Sequence, residues 1–213
     1  MIDFTKQTLS VPELPLSKEF NINQEMSVSV WIKTEHQNLA GNEEHIFTFP
    51  SIQDGANMVQ MFTKPKNTYF YCNYKTAGFY DVRDQTTDWQ HLVVTIVEDS
   101  MGVHVKLYVN GNFVSVKTSD ANYLVPTGSN PQRGFVLGND VDGVDINEVE
   151  QSFLGQITKF YLYDKILNDE EVKACFEHKE PVDNRIIWWE EIQGIETSND
   201  DVQEKDYPQQ FYF

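Results

Sequence analysis

The stretch Val105-Lys106-Leu107-Tyr108-Val109-Asn110-Gly111-Asn112-Phe113-Val114 decides the fold. Its first half alternates apolar and polar side chains with the period of two that a strand requires, and Asn-Gly supplies the two positive-φ residues of a tight I′ turn. A β-hairpin follows from those two signals together. Working outward, Ser27 to Ile32 sets Val28, Val30 and Ile32 on one face, and the same alternation runs through Met58 to Phe62. His91 to Val97 is almost continuously apolar, as expected of a strand buried on both sides between two sheets. Phe153 to Tyr163 resumes the strand pattern. One segment reads as helix: Asn168 is a good N-cap, Asp169, Glu170 and Glu171 suit the first turn, and Val172, Cys175 and Phe176 share a face. Cys175 then reads as a small core hydrophobe. About a dozen short strands with a single helix near 168–178 predict an all-β fold, a two-sheet antiparallel jelly-roll sandwich forming one domain over residues 1–213. The acidic stretch Glu196 to Asp206 reads as a surface loop leading to a last strand that contains Tyr207, Phe211, Tyr212 and Phe213.

Composition limits the partners. The 213 residues carry 33 acids against 16 bases, a formal charge of −17, which disfavours nucleic acid and anionic lipid surfaces and makes cations natural small partners. The charge is uneven: residues 1–139 hold 14 acids and 10 bases (−4), residues 140–213 hold 19 acids and 6 bases (−13). No stretch is apolar for long enough to span a bilayer, and the N-terminus lacks the pattern of a secretory leader, so a soluble protein is expected, cytoplasmic or presented without its leader. There is no Asn-x-Ser/Thr sequon. The two cysteines, Cys72 and Cys175, leave one bridge or two free thiols open.

The excess charge concentrates in Gly138-Asn139-Asp140-Val141-Asp142-Gly143-Val144-Asp145-Ile146-Asn147-Glu148-Val149-Glu150-Gln151, which holds five carboxylates and three side-chain amides and no base. Such crowding is costly unless a cation or bulk water neutralises it. Calcium fits, because it accepts carboxylate, amide and main-chain oxygens together in irregular loops. An EF-hand does not fit, since the acid spacing breaks at Val144. The other reading is a solvated acidic loop. The pair Asp140 and Asp142 also meets, superficially, a glycosidase's need for two carboxylates, although such enzymes carry theirs on a central strand rather than in a Gly-containing loop. No His spacing suggests a metal site, no Ser or Cys sits in a nucleophile motif, and His91 reads as a core or turn residue.

Phe135-Val136-Leu137-Gly138-Asn139-Asp140-Val141-Asp142, followed by Glu148 and Gln151-Ser152-Phe153-Leu154-Gly155, resembles the calcium-site segment of the pentraxins. Leu162 to Val172 is similar to the strand and short helix that follow that site, and Ile186-Ile187-Trp188-Trp189 through Gln193-Gly194 to the family's C-terminal strand. Met26 to Ile32, Ile46-Phe47-Thr48 and Leu107 to Gly111 extend the likeness over nearly the whole chain, in features shared with the wider laminin-G and concanavalin A-like sandwiches. The resemblance implies a calcium-dependent lectin, not an enzyme. In it Asp140 and Asp142 bridge two calcium ions, Val141 offers its carbonyl, and Glu148 and Gln151 hold the second ion. Asp54 and Asn57 become the remaining first-ion ligands, and Phe62 becomes an aromatic wall of the ligand pocket. It further implies glycan, phosphocholine-like or phosphoethanolamine-like ligands, a pentamer-like cyclic homo-oligomer, and an extracellular role in innate immunity. The family's inter-sheet disulfide is replaced by Ser29 and Val93, and its His-x-Cys-x-Ser signature is reduced to His91-Leu92-Val93-Val94-Thr95. A metal-free structural or protein-interaction domain of laminin-G type is the competing reading, and a glycoside hydrolase a second.

Overall fold

A computed structural model describes residues 2–3, 25–35, 43–50, 57–72, 75–82, 88–119, 136–138, 152–181, 183–187, 189–193 and 203–204. The elements are β1 (Ile2–Asp3), β2 (Glu25–Thr34), β3 (Glu44–Pro50), β4 (Asn57–Lys64), β5 (Asn67–Cys72), β6 (Lys75–Phe79), β7 (Gln90–Asp99), β8 (Gly102–Val109) and β9 (Asn112–Ser119). They continue with β10 (Val136–Leu137), β11 (Gly155–Tyr163), α1 (Asp169–Phe176), β12 (Arg185–Ile187), α2 (Trp189–Gln193) and β13 (Gln203–Glu204). Among the described residues they form two antiparallel sheets. One has eight strands in the order β13-β1-β11-β2-β7-β8-β9, with β12 also paired to β11; the other has five, in the order β10-β3-β4-β5-β6.

The period-two pattern explains the core. Val28, Val30 and Ile32 of β2, Leu92, Val94 and Ile96 of β7, and Ile157, Phe160 and Leu162 of β11 turn inward and are fully buried. They meet Phe47, Phe49, Val59, Met61 and Phe70 from the smaller sheet in one hydrophobic cluster. Phe47 and Phe160 join the sheets edge to face, with ring centroids 5.3 Å apart. The hairpin turns as its sequence requires: Asn110 and Gly111 have φ of 50° and 75°, and Val109 pairs with Asn112.

The eight-stranded sheet is covered on both sides, and its outer cover differs from the expectation. β7 does not lie between two sheets; its inner face meets the smaller sheet, and its outer face lies under α1. Phe176 of α1 stacks on Trp31 at 5.6 Å and lies 6.1 Å from His91. The helix starts where the sequence places it, because Asn168 and Glu171 form a reciprocal capping box. Its entry is clamped: Ser27 Oγ donates to the Lys165 carbonyl (2.7 Å) and accepts from Leu167 N–H (2.9 Å). Tyr108 OH donates to Asp169 at 2.9 Å. Beneath the helix, Ser29 Oγ and His91 Nε2 are 2.9 Å apart. Ser29 and Val93, the positions matched to the family disulfide, are direct cross-strand partners. Cys175 is a free, buried thiol, and burial raises its pKa to about 11.

Two further expectations change. The segment read as one C-terminal strand from Ile186 to Gly194 pairs only over Arg185–Ile187 and then coils into α2. There Trp189 and Ile192, three residues apart, bury themselves on one helical face. The acidic stretch read as a loop contains β13, whose Gln203 and Glu204 pair with Asp3 and Ile2. Backbone pairing needs no apolar side chain, so composition did not reveal it. Tyr207 to Phe213 lie outside the described residues.

Candidate ligand-binding face

The outer face of the five-stranded sheet is built by register. Antiparallel partners share a face, so the pairs His45↔Phe62, Phe62↔Tyr69 and Tyr69↔Gly78 form one row across β3, β4, β5 and β6. This row faces away from the core, because the neighbouring row Phe47↔Met61↔Phe70 faces into it. A register shift between His45 and Phe47 brings the imidazole into line. His45 stacks on Phe62 at 5.0 Å and Phe62 on Tyr69 at 4.8 Å, nearly parallel. Gly78 ends the row, and its lack of a side chain matters: a Cβ there would lie 3.0 Å from the Tyr80 hydroxyl and 3.2 Å from Tyr69 Cε1. Tyr80 occupies that space, meeting Tyr69 edge to face at 5.9 Å while remaining 65% exposed.

Polar groups border the aromatic row. Lys64 Nζ lies 5.5 Å from the Tyr69 ring centre and 3.1 Å from Glu43 Oε1. Glu43 also reaches His45 Nε2, 3.5 Å away. The close approach of His45, reinforced by Lys64, holds the Glu43 carboxyl at a pKa of about 2. Gln60 is two residues before Phe62 on the same face; its Oε1 is buried without a hydrogen-bond partner. An unused buried acceptor beside stacked rings is chemistry suited to a hydroxyl donor.

The acidic loop is rooted beside this row. Gly138 N–H donates to the Ile46 carbonyl (2.8 Å), and Phe153 N–H donates to the Gly138 carbonyl (2.9 Å), closing the base of the segment 139–151. Ser152 forms an isolated bridge with His45 itself. The chain then enters β11 through Gly155, at φ 153°, where a Cβ would lie 2.0 Å from the Lys33 carbonyl oxygen.

Phe62 is therefore adjacent to the root of the acidic loop and is buried between His45 and Tyr69, a place in the row rather than in the core. Asn57 is the first residue of β4 and pairs with Pro50 at the opposite end of β3. Five residues separate Asn57 from Phe62, roughly 16 Å of strand at about 3.3 Å per residue. β10 runs towards the start of β3 and so away from Asn57. Asp54, Asp140, Val141, Asp142, Glu148 and Gln151 lie outside the described residues. Among the described residues no group of three or more His, Cys, Asp or Glu is arranged to hold a metal ion. Sequence reasoning missed Tyr69, Tyr80, Gln60 and the Glu43–Lys64 pair. The usable signal was the alternation of Gln60, Phe62 and Lys64 opposite Tyr69 and Tyr71, which puts a second aromatic face on strands already supplying the core.

A family model for laminin G-type domains, described as the concanavalin A-like lectin/glucanases superfamily, matches residues 5–173. No curated protein matches the sequence. Among solved structures, a native heptameric SAP-like pentraxin from Limulus polyphemus is similar over 82% of this chain and 80% of its own, at 15% identity and TM-score 0.61. A protein from Bacteroides ovatus described as a candidate carbohydrate binding protein is similar at TM-score 0.55 and 14% identity, over 85% of this chain and 48% of its own. Botulinum neurotoxin type C, whose cell entry depends on two ganglioside molecules, is similar at TM-score 0.52 and 15% identity, over 74% of this chain and 37% of its own. The chain thus spans less than half the length of the last two.

Proposed function

Because the chain belongs to the concanavalin A-like lectin/glucanases superfamily, we propose that it is a non-enzymatic, calcium-dependent carbohydrate-binding module that works through the outer face of its five-stranded sheet. The observation that carries this reading is the aromatic row His45-Phe62-Tyr69 with Tyr80 at its open end, set beside the root of the acidic loop. Sugar rings present C–H faces that stack on tyrosine, and their hydroxyls match an unused acceptor such as Gln60 Oε1. Calcium, held by Asp140, Asp142, Glu148, Gln151 and the Val141 carbonyl, supplies hard coordination positions for a vicinal diol or a phosphate monoester. Asp54 and Asn57 join that set only if the loop doubles back along β3, so the proposal rests on the loop's own donors.

Binding domains dominate the similar structures, which favours recognition over hydrolysis. The heptameric state of the Limulus protein supports a cyclic homo-oligomer, and a ring would multiply weak contacts to repeated surface glycans. Millimolar calcium outside cells suits a weak loop site, so an extracellular setting is proposed with it. A glycan array read with calcium and with chelator, alongside a thermal melt in both conditions, tests the reading. Calcium at a hundred times its Kd adds about 2.7 kcal/mol to stability, and Asp142→Ala abolishes both that gain and glycan capture. A melt unchanged by chelator removes calcium from the proposal and favours the metal-free module; glycan capture unchanged by Tyr69→Ala removes the aromatic face.

A further inference from the structure

The two ends of α1 are fastened to the eight-stranded sheet by different chemistry. At the N-terminal end the fastening is polar: the Asn168–Glu171 capping box, Tyr108 on Asp169, and Lys165 Nζ on Glu171 Oε1 (2.7 Å) and Asp183 Oδ2 (2.9 Å). At the C-terminal end it is made of rings. Phe176 stacks on Trp31, the exposed His178 lies 4.9 Å from the same indole, and His91 lies 5.1 Å from it on the neighbouring strand. A helix of eight residues does not hold itself together in water, so its last turn persists only while those rings stay docked. We propose that mild acid releases this last turn, residues 175–179, from Trp31 while the N-terminal end and the sandwich stay folded, so that α1 is a roof that opens at one end.

The geometry under the last turn is hostile to a proton. His91 is fully buried; its Nε2 is bonded with Ser29 Oγ, and among the described residues its Nδ1 has no hydrogen-bond partner. An imidazolium carries N–H on both nitrogens, so the second would be buried with nothing to accept it. The charged groups around it add to the cost. His178, on the chain leaving the helix, and Lys159 of β11 act on His91, while Lys159 and Glu180 act on His178; Lys159 Nζ and Glu180 Oε1 are already paired at 3.2 Å. From β2 the facing group is the uncharged Trp31, and from the β8–β9 turn it is Gly111, packed against Phe176. The exit itself is strained, because His178 leaves the helix at φ 60°, and release relaxes that backbone as well. Loss of hydration holds His91 at about 3 and His178 below 6.5 while the turn is docked. Once released, His91 takes up its proton at its ordinary 6.5, so docking is complete above that pH and weakens tenfold for each unit below it. Between pH 7 and pH 5 the released population grows about 25-fold from His91 alone.

The device is independent of glycan binding, because Trp31 and His91 belong to the sheet that does not carry the aromatic row. Hydrogen exchange of the full chain at pH 7 and pH 5, corrected for the pH dependence of the chemical step, tests it. The amides that close the last turn are those of Glu177, His178 and Lys179, bonded to the carbonyls of Lys173, Cys175 and Ala174. They are expected to lose protection at least about twentyfold at pH 5, while the amides of β2, β7 and β11 keep theirs. His91→Gln is expected to cut that rise to less than about threefold, since the released state then gains no proton there. His178→Gln, at an exposed position, is expected to cut it at least about twofold and decides the matter if His91→Gln does not fold. Equal protection at the two pH values, helix and strands losing protection together, or a rise that persists in full in the folded variants overturns the proposal.

Discussion

The two sheets turn opposite kinds of surface outward. Under α1 the eight-stranded sheet buries Ser29, His91 and Tyr163 against Val172 and Cys175 of the helix. The five-stranded sheet turns outward a row of rings bordered by Glu43 and Lys64, an unused Gln60 oxygen and the root of the most acidic loop. A helix roof converts an outer face into a second core, so substitutions there act on stability. The ring row keeps chemistry that the core does not consume, so substitutions at its exposed end, Tyr80, act on binding.

Four tests bear on that contrast, starting with the largest effect. Val172→Asp, fully buried beneath the roof, places a charge with no partner against the sheet and is expected to cost more than about 4 kcal/mol. Urea titration reads it, and retained stability would mean that α1 does not seal the face. Next is acid. His91 is buried against Trp31 and Phe176, and loss of hydration, with His178 and Lys159 nearby, depresses its pKa from 6.5 to about 3. The unfolded chain takes up that proton first, so stability is complete above pH 6.5 and is lost as pH falls from there towards 3. The loss is about 2 kcal/mol by pH 5, at about 1.4 kcal/mol per unit for one proton. His91→Gln is expected to flatten this slope in pH-dependent melts while leaving glycan affinity alone.

At the exposed end of the ring row, Tyr80→Ala is expected to change stability by less than about 0.5 kcal/mol and to lower glycan affinity about tenfold, or about 1.4 kcal/mol. Calorimetry showing unchanged affinity would move the ligand off this row. The smallest effect belongs to Glu43, whose side chain is 37% exposed and so screened by water. Its carboxyl is held at about 2, below its ordinary 4.5, by His45 and then Lys64, so its contribution is present above pH 4.5 and fades as pH falls towards 2. Glu43→Gln is expected to reduce the acid sensitivity of the melt only below pH 4.5, whereas His91→Gln already changes it between pH 6.5 and 4.5.

Much of the fold was legible because its causes are local. Asn110-Gly111 dictates a two-residue turn, Asn168 and Glu171 dictate a helix start, and alternation in Ser27 to Ile32 dictates which side chains face inward. α2 and β13 were not legible: five residues of helix and two of strand carry too little periodicity, and their partners are distant in sequence. The same division holds at the candidate site. The donor chemistry of Asp140 to Gln151 lies in one run of sequence, and Phe62 was singled out by the pentraxin resemblance. The row that Phe62 belongs to was not, because His45, Tyr69 and Gly78 become neighbours only through strand register.

The sequence by itself determined the strands, the hairpin, the capped helix and where the negative charge gathers, since each depends on residues within a turn or two of each other. Only the tertiary structure decided which outer face α1 roofs and which carries the ring row. That choice depends on where α1 lands and on a one-residue shift beside His45 that aligns rings from three strands. It also separated Asn57, the first residue of β4, from Phe62 five positions on, because an extended backbone advances about 3.3 Å with every residue.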